Sequence, residues 1–406
     1  MNRKNESTAV DLILIERVTA FGGTERHTVG LIEELQRRGL RVAFIESGEP
    51  HVSSRIENRR ACLTIVRTRL STVPENMQEI LAWKRMLQKF ETRRVLIVKS
   101  SYGTGSFRFL GLLKLMFAHV VSIEHTTVPS RVKWSPKIHF ERRLRTGVWW
   151  YRDYLNLKKR AMLVDHVITV SEFNKTCLSK NALVPGKKIT VCVNGIDVSV
   201  WRRESFRGDK FRERFDIPGD ALLFGCVGRL EAEKGFELAI DAFKKFQKCR
   251  ERSNAYLIII GEGRMRDEWR RRAERSEGRI IFTGFVEDLV PAYSAIDVAL
   301  FTSHHEGVWS GESFGLTLVE AMACECGVIA MNKGATTEII GDLTDACELL
   351  EARDVWGWAE AMRKYSYTPK EILAGHGSVL RRRVMERYDA KSTYSKLVDA
   401  VLREGD

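Results

Sequence analysis

The segment SHHEGVWSGESFGLTLVEAMACECGVIAMNKGATTEII, residues 303–340, has the pattern of a loop, a helix and a strand in succession. An apolar strand is predicted just before it and ends at Thr302. A polar, glycine-rich loop follows, a helix with one apolar face is predicted from about Gly315, and residues 327–330 predict the next strand. Strand–helix–strand units of this kind are typical of parallel sheets covered by helices, so the segment predicts an α/β protein.

Short apolar runs rich in β-branched residues alternate with helical patterns along the rest of the chain. Strands that are hydrophobic along their whole length, and that are separated by helices, indicate parallel sheets with both faces covered. The predicted strands are residues 10–15, 42–45, 62–66, 95–98, 120–123, 166–170, 189–193, 221–227, 256–260, 280–282, 298–301, 327–330 and 347–349. The predicted fold class is therefore α/β, with two Rossmann-like parallel-sheet domains.

A polar, charged stretch at residues 197–220 separates the two halves of this pattern. We therefore predict an N-terminal domain over residues 1–198 and a C-terminal domain over residues 199–384. The last helical pattern, within about residues 385–406, is predicted to pack back on the first domain. Because open α/β sheets bind ligands beyond the carboxyl ends of their strands, the two domains are expected to face each other across a binding cleft.

The composition is that of a folded protein with a surplus of basic residues. The 406 residues include 66 Lys and Arg against 53 Asp and Glu, which gives a formal net charge of +13. Apolar residues make up 44%, so disorder and collagen-like structure are excluded as the main state of the chain. The charge favours anionic partners: phosphorylated substrates, an acidic membrane face or nucleic acid. The alternative is that scattered Lys and Arg only maintain solubility.

The cysteines and the lack of export signals predict a cytoplasmic protein. The eight cysteines form no C-x-x-C pair, and most lie in apolar runs, as is typical of reduced and buried thiols. The first residues lack a signal-peptide pattern, and no run reaches the roughly 20 apolar residues that a bilayer crossing needs. No spacing of His, Cys or acidic residues is typical of a metal site, so neither a metal nor another cofactor is expected.

Two cations follow the predicted strand at residues 221–227. Arg229 and Lys234 lie five residues apart in the segment GCVGRLEAEKG. The guanidinium fork and the ammonium group both suit a diphosphate, and they would stabilise a leaving group that gains negative charge. The segment has neither the G-x-G-x-x-G fingerprint nor a P-loop. The alternative interpretation is a solvated surface loop.

The predicted helix after the glycine-rich loop combines an anion-accepting end with two carboxylates. The backbone N–H groups of Phe314, Gly315 and Leu316 lie where a helix begins, and such groups have no acceptor within the helix. Glu312 precedes them, and Glu320 lies eight residues further on, which is about 12 Å along a helix. One carboxylate is a candidate for sugar hydroxyls and the other for a ribose diol. The alternative is that both are surface glutamates.

Two segments of the first half end predicted strands with residues suited to a ligand. The glycines of FGGTE, residues 21–25, allow close approach to the backbone where a helix starts. In IEHTT, residues 123–127, His125 lies where it can hydrogen-bond a sugar or approach a reacting centre. The alternatives are a tight turn and a structural histidine, which is the commoner role of a lone histidine.

Taken together, these segments resemble the retaining glycosyltransferases of family four, which have the GT-B fold. The resemblance covers most of the chain, most tightly residues 193–340. It rests on the ordered segments FGGTE, IEHTT, VSEFNKTCL, VNGID, GRLEAEKG, IIIGEG, IIFTGFVED, ESFGLTLVEAMA and GATTEII. It implies metal-independent transfer of a sugar, with retained configuration, from a nucleotide-diphosphate donor. The implied acceptor is a saccharide or a lipid-linked saccharide, in cell-surface polysaccharide or glycoconjugate synthesis.

The resemblance also implies roles for the positions that match the family's motifs. Arg229 and Lys234 resemble the diphosphate-binding pair, Glu312 the glutamate that contacts the donor sugar, and Glu320 the one that binds ribose. The other implied contacts are backbone groups of Phe314, Gly315 and Leu316, the base-binding stretch Phe285 and Val286, Gly23 near the donor phosphate and acceptor, His125 near the transferred sugar, and Asn194 near the interdomain cleft. The implied catalytic set is His125, Arg229, Lys234 and Glu312.

The loop before the helix departs from the family pattern. Glu306 and Gly307 come first, then VWSG at residues 308–311, and only then Glu312. Glu312 is assigned to the donor sugar because seven residues lie between it and Glu320. The additional loop leaves the shape of the pocket and the identity of the donor open.

Residues 131–160 are rich in Lys, Arg and aromatic side chains. Such a segment can contact an anionic membrane face that carries a lipid-linked acceptor. The alternatives are an amphipathic lid helix with inward aromatics and binding of single-stranded nucleic acid. No recognised motif supports the latter, so nucleic acid is not an expected partner. For the protein as a whole, a nucleotide-sugar epimerase on the same fold and a catalytically inactive scaffold are the alternatives to sugar transfer.

Overall fold

The chain divides into two compact units in a computed structural model. The structure describes residues 7–18, 23–56, 62–99, 107–125, 161–182, 184–248, 254–274, 279–303, 312–351 and 354–403. Unit 1 comprises residues 1–195 together with 391–406, and unit 2 comprises residues 196–390. The domain boundary was predicted after residue 198, and the division into units falls after residue 195. The C-terminal segment that rejoins unit 1 was predicted from about residue 385, and in the structure it starts at Lys391.

Unit 1 is built on a seven-stranded sheet in which all strands are parallel. The strands of unit 1 are β1 (Thr8–Ala9), β2 (Leu12–Val18), β3 (Val42–Gly48), β4 (Leu63–Thr68), β5 (Phe90–Glu91), β6 (Arg94–Lys99), β7 (His119–Glu124), β8 (His166–Thr169) and β9 (Ile189–Val191). Strands β1 and β5 form a separate two-stranded pair, and the large sheet has the order β4-β3-β2-β6-β7-β8-β9. The carboxyl ends of the large sheet's strands therefore lie along one edge.

Helices cover both faces of this sheet because its strands are apolar on both sides. The helices are α1 (Gly23–Arg37), α2 (Met77–Leu87), α3 (Phe107–Met116) and α4 (Glu172–Ala182). One core cluster joins the sheet to α2 and α3, where the rings of Trp83 and Phe109 lie 4.7 Å apart. The other core cluster joins the opposite face to α1 and to the C-terminal helix described below.

Unit 2 repeats the plan with a six-stranded parallel sheet of order β12-β11-β10-β13-β14-β15. Its strands are β10 (Leu222–Val227), β11 (Ala255–Ile260), β12 (Ile280–Gly284), β13 (Val298–Phe301), β14 (Gly327–Met331) and β15 (Cys347–Leu350). Its helices are α5 (Ser205–Arg214), α6 (Phe236–Lys248), α7 (Arg266–Ala273), α8 (Val290–Ala295), α9 (Leu316–Ala323), α10 (Ala335–Ile340), α11 (Val355–Tyr367) and α12 (Lys370–Arg387). The strand order changes direction between β10 and β13. Ligands of such sheets bind at this point, beyond the carboxyl ends of the strands.

The chain ends with helix α13 (Ala390–Leu402), whose apolar residues join the core of unit 1. Its Tyr394 lies against Gly30 of α1, where a Cβ atom would overlap the tyrosine ring. Helix α1 itself ends in a Schellman motif: Gly39 has φ +75°, its N–H donates to Gln36 O, and Leu40 N–H donates to Leu35 O. A glycine is therefore needed at both places, for close approach in one and for the left-handed backbone in the other.

The predicted fold class is confirmed. Each predicted strand overlaps a strand of one of the two large parallel sheets, and of the strands in the described residues only the short β1 and β5 were not predicted. Among the described residues, no helix has both the length and the apolar character that a membrane crossing demands.

Candidate functional site

The loop after β10 holds both predicted diphosphate ligands. Gly228 starts this loop with φ +153°, the 3₁₀ turn Ala232–Lys234 follows, and Gly235 closes it with φ +62°. Arg229 is mostly exposed and pairs with Glu233 at 3.2 Å. Its guanidinium is therefore held within the loop by a surface ion pair, which is weak enough to be exchanged for another anion.

Lys234 contacts a second predicted site residue directly. Its Nζ lies 2.7 Å from Oε2 of Glu312, and both side chains are less than one-fifth exposed. The Thr302 hydroxyl, at the end of β13, donates to the Lys234 carbonyl at 2.8 Å and fixes the backbone of the turn. The structure thus brings together a cation and a carboxylate that are 78 residues apart in sequence.

Glu312 is also fixed through its backbone, next to the helix start that the sequence predicts. The Glu312 carbonyl accepts a hydrogen bond from Ala335 N–H, the first residue of α10, at 3.0 Å. Gly315 has φ +94°, and a Cβ there would lie 3.4 Å from Glu312 Cγ and 3.5 Å from the Phe301 ring. Helix α9 begins at the next residue, Leu316, so its positive end lies close to the Glu312 side chain.

The two residues beside Gly315 have different surroundings. Phe314 is buried and packs edge-on against Tyr388, with ring centroids 5.7 Å apart. Leu316 is half-buried at the helix start. A role of Phe314 in ligand binding would therefore be confined to its backbone, because its ring is occupied by core packing.

Glu320 lies one turn further along α9 and is 2% exposed. Its Oε2 is 3.3 Å from the hydroxyl of Tyr293 in α8, which is also 3.1 Å from the Thr317 carbonyl. Burial and then the charge of Glu320 raise the pKa of Tyr293 well above its usual value, so this hydroxyl stays protonated and can donate. Tyr293 was not predicted, and its place in a short apolar helix gives no sign of this contact.

The predicted base-binding stretch follows β12. Phe285 is 76% exposed and Val286 is half-buried. The preceding Gly284 has φ +76°, and a Cβ there would lie 2.8 Å from Oε1 of Glu262. Glu262 was not predicted as a site residue, although it lies in the IIIGEG segment, and its carboxylate is adjacent to the stretch.

Backbone hydrogen bonds join the loops after β10, β11 and β12 into one rim. Leu230 N–H donates to the Glu262 carbonyl at 2.9 Å, and Gly261 N–H donates to the Gly284 carbonyl at 2.9 Å. The diphosphate loop and the base stretch therefore lie at the same carboxyl edge of the unit 2 sheet.

The predicted residues of unit 1 lie at the carboxyl edge of its own sheet. Gly23 is the exposed first residue of α1, and Asn194 is buried near the end of the segment after β9. His125 follows β7 directly and is buried, and burial lowers the pKa of its imidazole to about 4. Its ring meets that of His27 in α1 edge-on, with centroids 4.6 Å apart. His27 was not predicted as a site residue.

Two predicted features lie outside the described residues: the additional loop at 308–311 and the basic, aromatic segment at 131–160. Within the part of the chain that is described, no three His, Cys, Asp or Glu residues are grouped so that they could hold a metal ion.

Sequence models of known families match both units. The family described as Glycosyltransferase Family 4 matches residues 21–200, and Glycosyl transferases group 1 matches residues 221–366. The chain belongs to glycosyltransferase family four. The two matches meet at the segment where the chain passes from unit 1 to unit 2, so each unit carries its own part of the family pattern.

The relatives of known sequence include glycosyltransferases named for phosphatidylinositol mannosides and for lipopolysaccharide core biosynthesis. The GDP-mannose-dependent alpha-(1-6)-phosphatidylinositol dimannoside mannosyltransferase of Mycobacterium tuberculosis is 33% identical over 204 residues, which is 48% of each chain. The lipopolysaccharide core biosynthesis glycosyltransferase LpsE of Rhizobium meliloti is 26% identical over 301 residues, 68% of this chain and 78% of that protein. An uncharacterised glycosyltransferase of Methanocaldococcus jannaschii is 33% identical over 183 residues. The chain spans about half the length of the mycobacterial and archaeal relatives, at 48% and 44%.

Solved glycosyltransferase structures share the fold. Anabaena HepE in complex with UDP matches with a TM-score of 0.73 at 17% identity, covering 96% of this chain and 99% of that one. WaaG, a glycosyltransferase involved in lipopolysaccharide biosynthesis, matches with a TM-score of 0.68 at 14% identity, covering 97% and 100%. The two α/β units with parallel sheets are thus those of GT-B glycosyltransferases.

The rim of unit 2 can bind an anion and hydroxyl groups next to each other. Lys234, the Arg229 guanidinium and the start of α9 supply positive charge, and Glu312 supplies an acceptor within 2.7 Å of the lysine. A ligand with a diphosphate beside a polyol matches this combination, because the phosphate takes the cations and the hydroxyls take the carboxylate.

Proposed function

We propose that the chain transfers a sugar from a nucleotide-diphosphate donor to a saccharide or lipid-linked saccharide acceptor. The contact between Lys234 and Glu312 carries this proposal, since it joins the candidate phosphate ligand to the candidate sugar ligand at 2.7 Å. The family membership supports it independently. The proposed setting is synthesis of a cell-surface polysaccharide or glycoconjugate, for which the lipopolysaccharide enzyme LpsE is a precedent among the relatives.

In the proposed donor complex, Arg229, Lys234 and the amino end of α9 bind the diphosphate. Glu312 accepts hydrogen bonds from sugar hydroxyls, Glu320 from the ribose, and the stretch at Phe285 and Val286 contacts the base. The names of similar proteins mention nucleotides or nucleotide sugars, but with different bases. The mycobacterial relative is described as GDP-mannose-dependent, whereas HepE structures contain UDP and UDP-glucose. The base and the sugar are therefore the first properties to measure.

The proposed reaction retains the anomeric configuration and uses no metal. The bond between the anomeric carbon and the diphosphate oxygen breaks, and the acceptor oxygen forms its bond to that carbon on the same face. The acceptor hydroxyl proton passes to an oxygen of the departing phosphate. Arg229 and Lys234 stabilise the negative charge that develops on this phosphate. His125 is the candidate contact of unit 1 to a substrate hydroxyl, for which its neutral imidazole offers one donor and one acceptor.

A cytoplasmic location and contact with an anionic membrane through residues 131–160 belong to the same proposal. The supporting observation is the mixture of basic and aromatic residues in that segment. If the segment does contact membranes, full-length protein should sediment with vesicles that contain anionic lipid at low salt, and less at high salt. Equal recovery with neutral and anionic vesicles would reject the membrane contact.

A donor screen with two readouts tests the function and separates it from the alternatives. UDP-, GDP- and ADP-sugars are incubated with the protein, with and without saccharide and lipid-linked acceptors, and nucleotide release and product configuration are measured. Release that depends on an acceptor, with a retained α-linkage from an α-donor, supports the proposal. Turnover without acceptor favours a nucleotide-sugar epimerase, and donor binding without any turnover favours an inactive scaffold.

A further inference from the structure

Three aromatic rings of unit 1 lie in a row that ends at His125. The His125 ring meets the His27 ring at 4.6 Å between centroids, with the two planes at 74°. The His27 ring in turn lies 5.4 Å from the ring of Tyr394 in α13. The row thus joins the end of β7, the first turns of α1 and the C-terminal helix, which the chain reaches only after it has passed through unit 2.

Both imidazoles are buried, and in the part of the chain that is described each has a ring nitrogen without a hydrogen bond. His27 is 2% exposed and His125 is 8% exposed. Among the described residues, neither Nδ1 of His27 nor Nε2 of His125 has a hydrogen-bond partner. Leaving a buried polar atom unsatisfied normally costs about 1–3 kcal/mol, so such an atom is a feature that needs a reason.

The His27 ring is also packed against Tyr394. Tyr394 fits only because residue 30 is a glycine, since a Cβ there would overlap the tyrosine ring. Burial of the Tyr394 hydroxyl raises its pKa, so this ring is an uncharged part of the core. A buried ring held on one side by packing has little freedom to rotate, and its edge then restricts whatever ring lies against it.

We propose that His27 is a positioning residue for His125: its ring, backed by Tyr394, holds the His125 imidazole in one orientation and keeps Nε2 of His125 for a hydroxyl of the substrate. The proposal rests on the proposed function for the identity of that ligand, but not for the positioning itself. It assigns the effect to the ring of His27 rather than to Nδ1, because Nδ1 of His27 makes no hydrogen bond with the residues described. It also gives α13 a part in the site, although that helix contributes no predicted ligand.

The first experiment measures, without any substrate, whether His125 keeps a single tautomer, as a ring held in one orientation is expected to do. Full-length protein labelled with ¹⁵N-histidine is observed by long-range ¹H–¹⁵N correlation, and the His125 signals are assigned by their loss in His125→Gln. A ring fixed in one tautomer gives two well-separated nitrogen signals, whereas a ring that rotates and exchanges gives converging ones. We expect separated signals in the wild type and in His27→Phe, and converging signals in His27→Ala.

His166→Ala is the matched control for this experiment. His166 lies in β8, in register with Val121 of β7, and its ring bonds to the Thr190 hydroxyl. Val121 is four residues before His125, which is about 13 Å along a strand. His166→Ala should leave the His125 signals unchanged. If His27→Ala leaves them separated, or if His27→Phe behaves like His27→Ala, the proposal is wrong. Should His27→Ala not fold, Tyr394→Leu replaces it, with the same expected convergence and the same contradicting result.

The second experiment measures transfer. His27→Ala should lower kcat by about tenfold to a hundredfold, with the donor KM little changed, because a misplaced ring affects the reacting geometry more than donor binding. His27→Phe should stay within about threefold of wild type on the same ground. A raised donor KM with unchanged kcat would contradict the positioning role. If instead His125→Gln transfers sugar normally, the function proposed for His125 fails, while the NMR result still decides whether His27 positions it.

Discussion

The candidate site residues are charged in unit 2 and neutral in unit 1. In unit 2, Lys234 and Glu312 face each other as a cation and a carboxylate at 2.7 Å, on loops at the edge of the sheet. In unit 1, His27 and His125 are buried, and burial lowers the pKa of both imidazoles, so that both are neutral near pH 7. A charged ligand can replace one partner of an ion pair, whereas a neutral buried ring can only be matched in shape and hydrogen bonding. The difference is consistent with the proposal that unit 2 binds the anionic diphosphate and unit 1 uncharged hydroxyl groups.

Replacing Lys234 is the largest test of this contrast. Lys234→Ala removes the cation and leaves Glu312 with an uncompensated charge where the diphosphate should bind, so the two would repel each other. We expect transfer, measured as kcat/KM, to fall by about 10²–10³, the loss found when one preorganised charge-stabilising donor is removed. Lys244→Ala is the matched control. Lys244 lies on α6, away from the candidate site, and its Nζ donates to the Arg272 carbonyl. A Lys234→Ala variant that keeps transfer near the wild-type rate would remove the basis for the site.

Glu312→Gln separates the two roles of the ion pair. The variant should lose about a hundredfold in transfer, because an amide accepts sugar hydroxyls less well than a carboxylate. Its affinity for a nucleoside diphosphate should instead rise by about threefold to tenfold, since Lys234 no longer has to leave a carboxylate to meet the phosphate. Isothermal titration with UDP, GDP and ADP measures the second effect. Weaker nucleotide binding in Glu312→Gln would mean that the pair does not compete with the ligand.

The parts of the site that follow from charge and glycine patterns could be predicted, and the parts that depend on packing could not. Glu312 was predicted from its place before a helix start and its spacing to Glu320, and Lys234 as one of two cations in the loop after a strand. Nothing in the sequence could show that they pair, since contact across 78 residues depends on the register of the loops. Tyr293 and His27 were missed for another reason: they lie on apolar helix faces, where an aromatic side chain is most often part of the core.

The neutral state of unit 1 gives a dependence of stability on pH. The folded pKa of His125 is about 4, against about 6.5 for an unfolded chain, so the unfolded state binds the proton more readily in between. This group's contribution to the free energy of unfolding is complete above about pH 6.5 and is lost as the pH falls toward 4. At pH 5 the loss for this one group is about 2 kcal/mol. Urea unfolding at pH 7.5 and pH 5 should show a smaller pH-dependent loss in His125→Gln than in the wild type. Equal losses would mean that His125 is already accessible to protons in the folded protein.

The smallest expected effect concerns the buried end of the donor site. Tyr293→Phe removes the hydroxyl that lies 3.3 Å from Glu320 and leaves the ring packing unchanged. One hydrogen bond to a carboxylate contributes about 1–2 kcal/mol, so the donor KM should rise by about fivefold to thirtyfold while kcat changes little. Tyr365→Phe is the matched control, because that tyrosine is also buried in unit 2 but its hydroxyl donates to the Val328 carbonyl. Both variants should lose similar stability, so a change of KM in Tyr293→Phe alone would assign Glu320 to the donor. A parallel change in both would reduce Glu320 to a structural residue and leave Arg229 and the Lys234–Glu312 pair as the charged groups of the site.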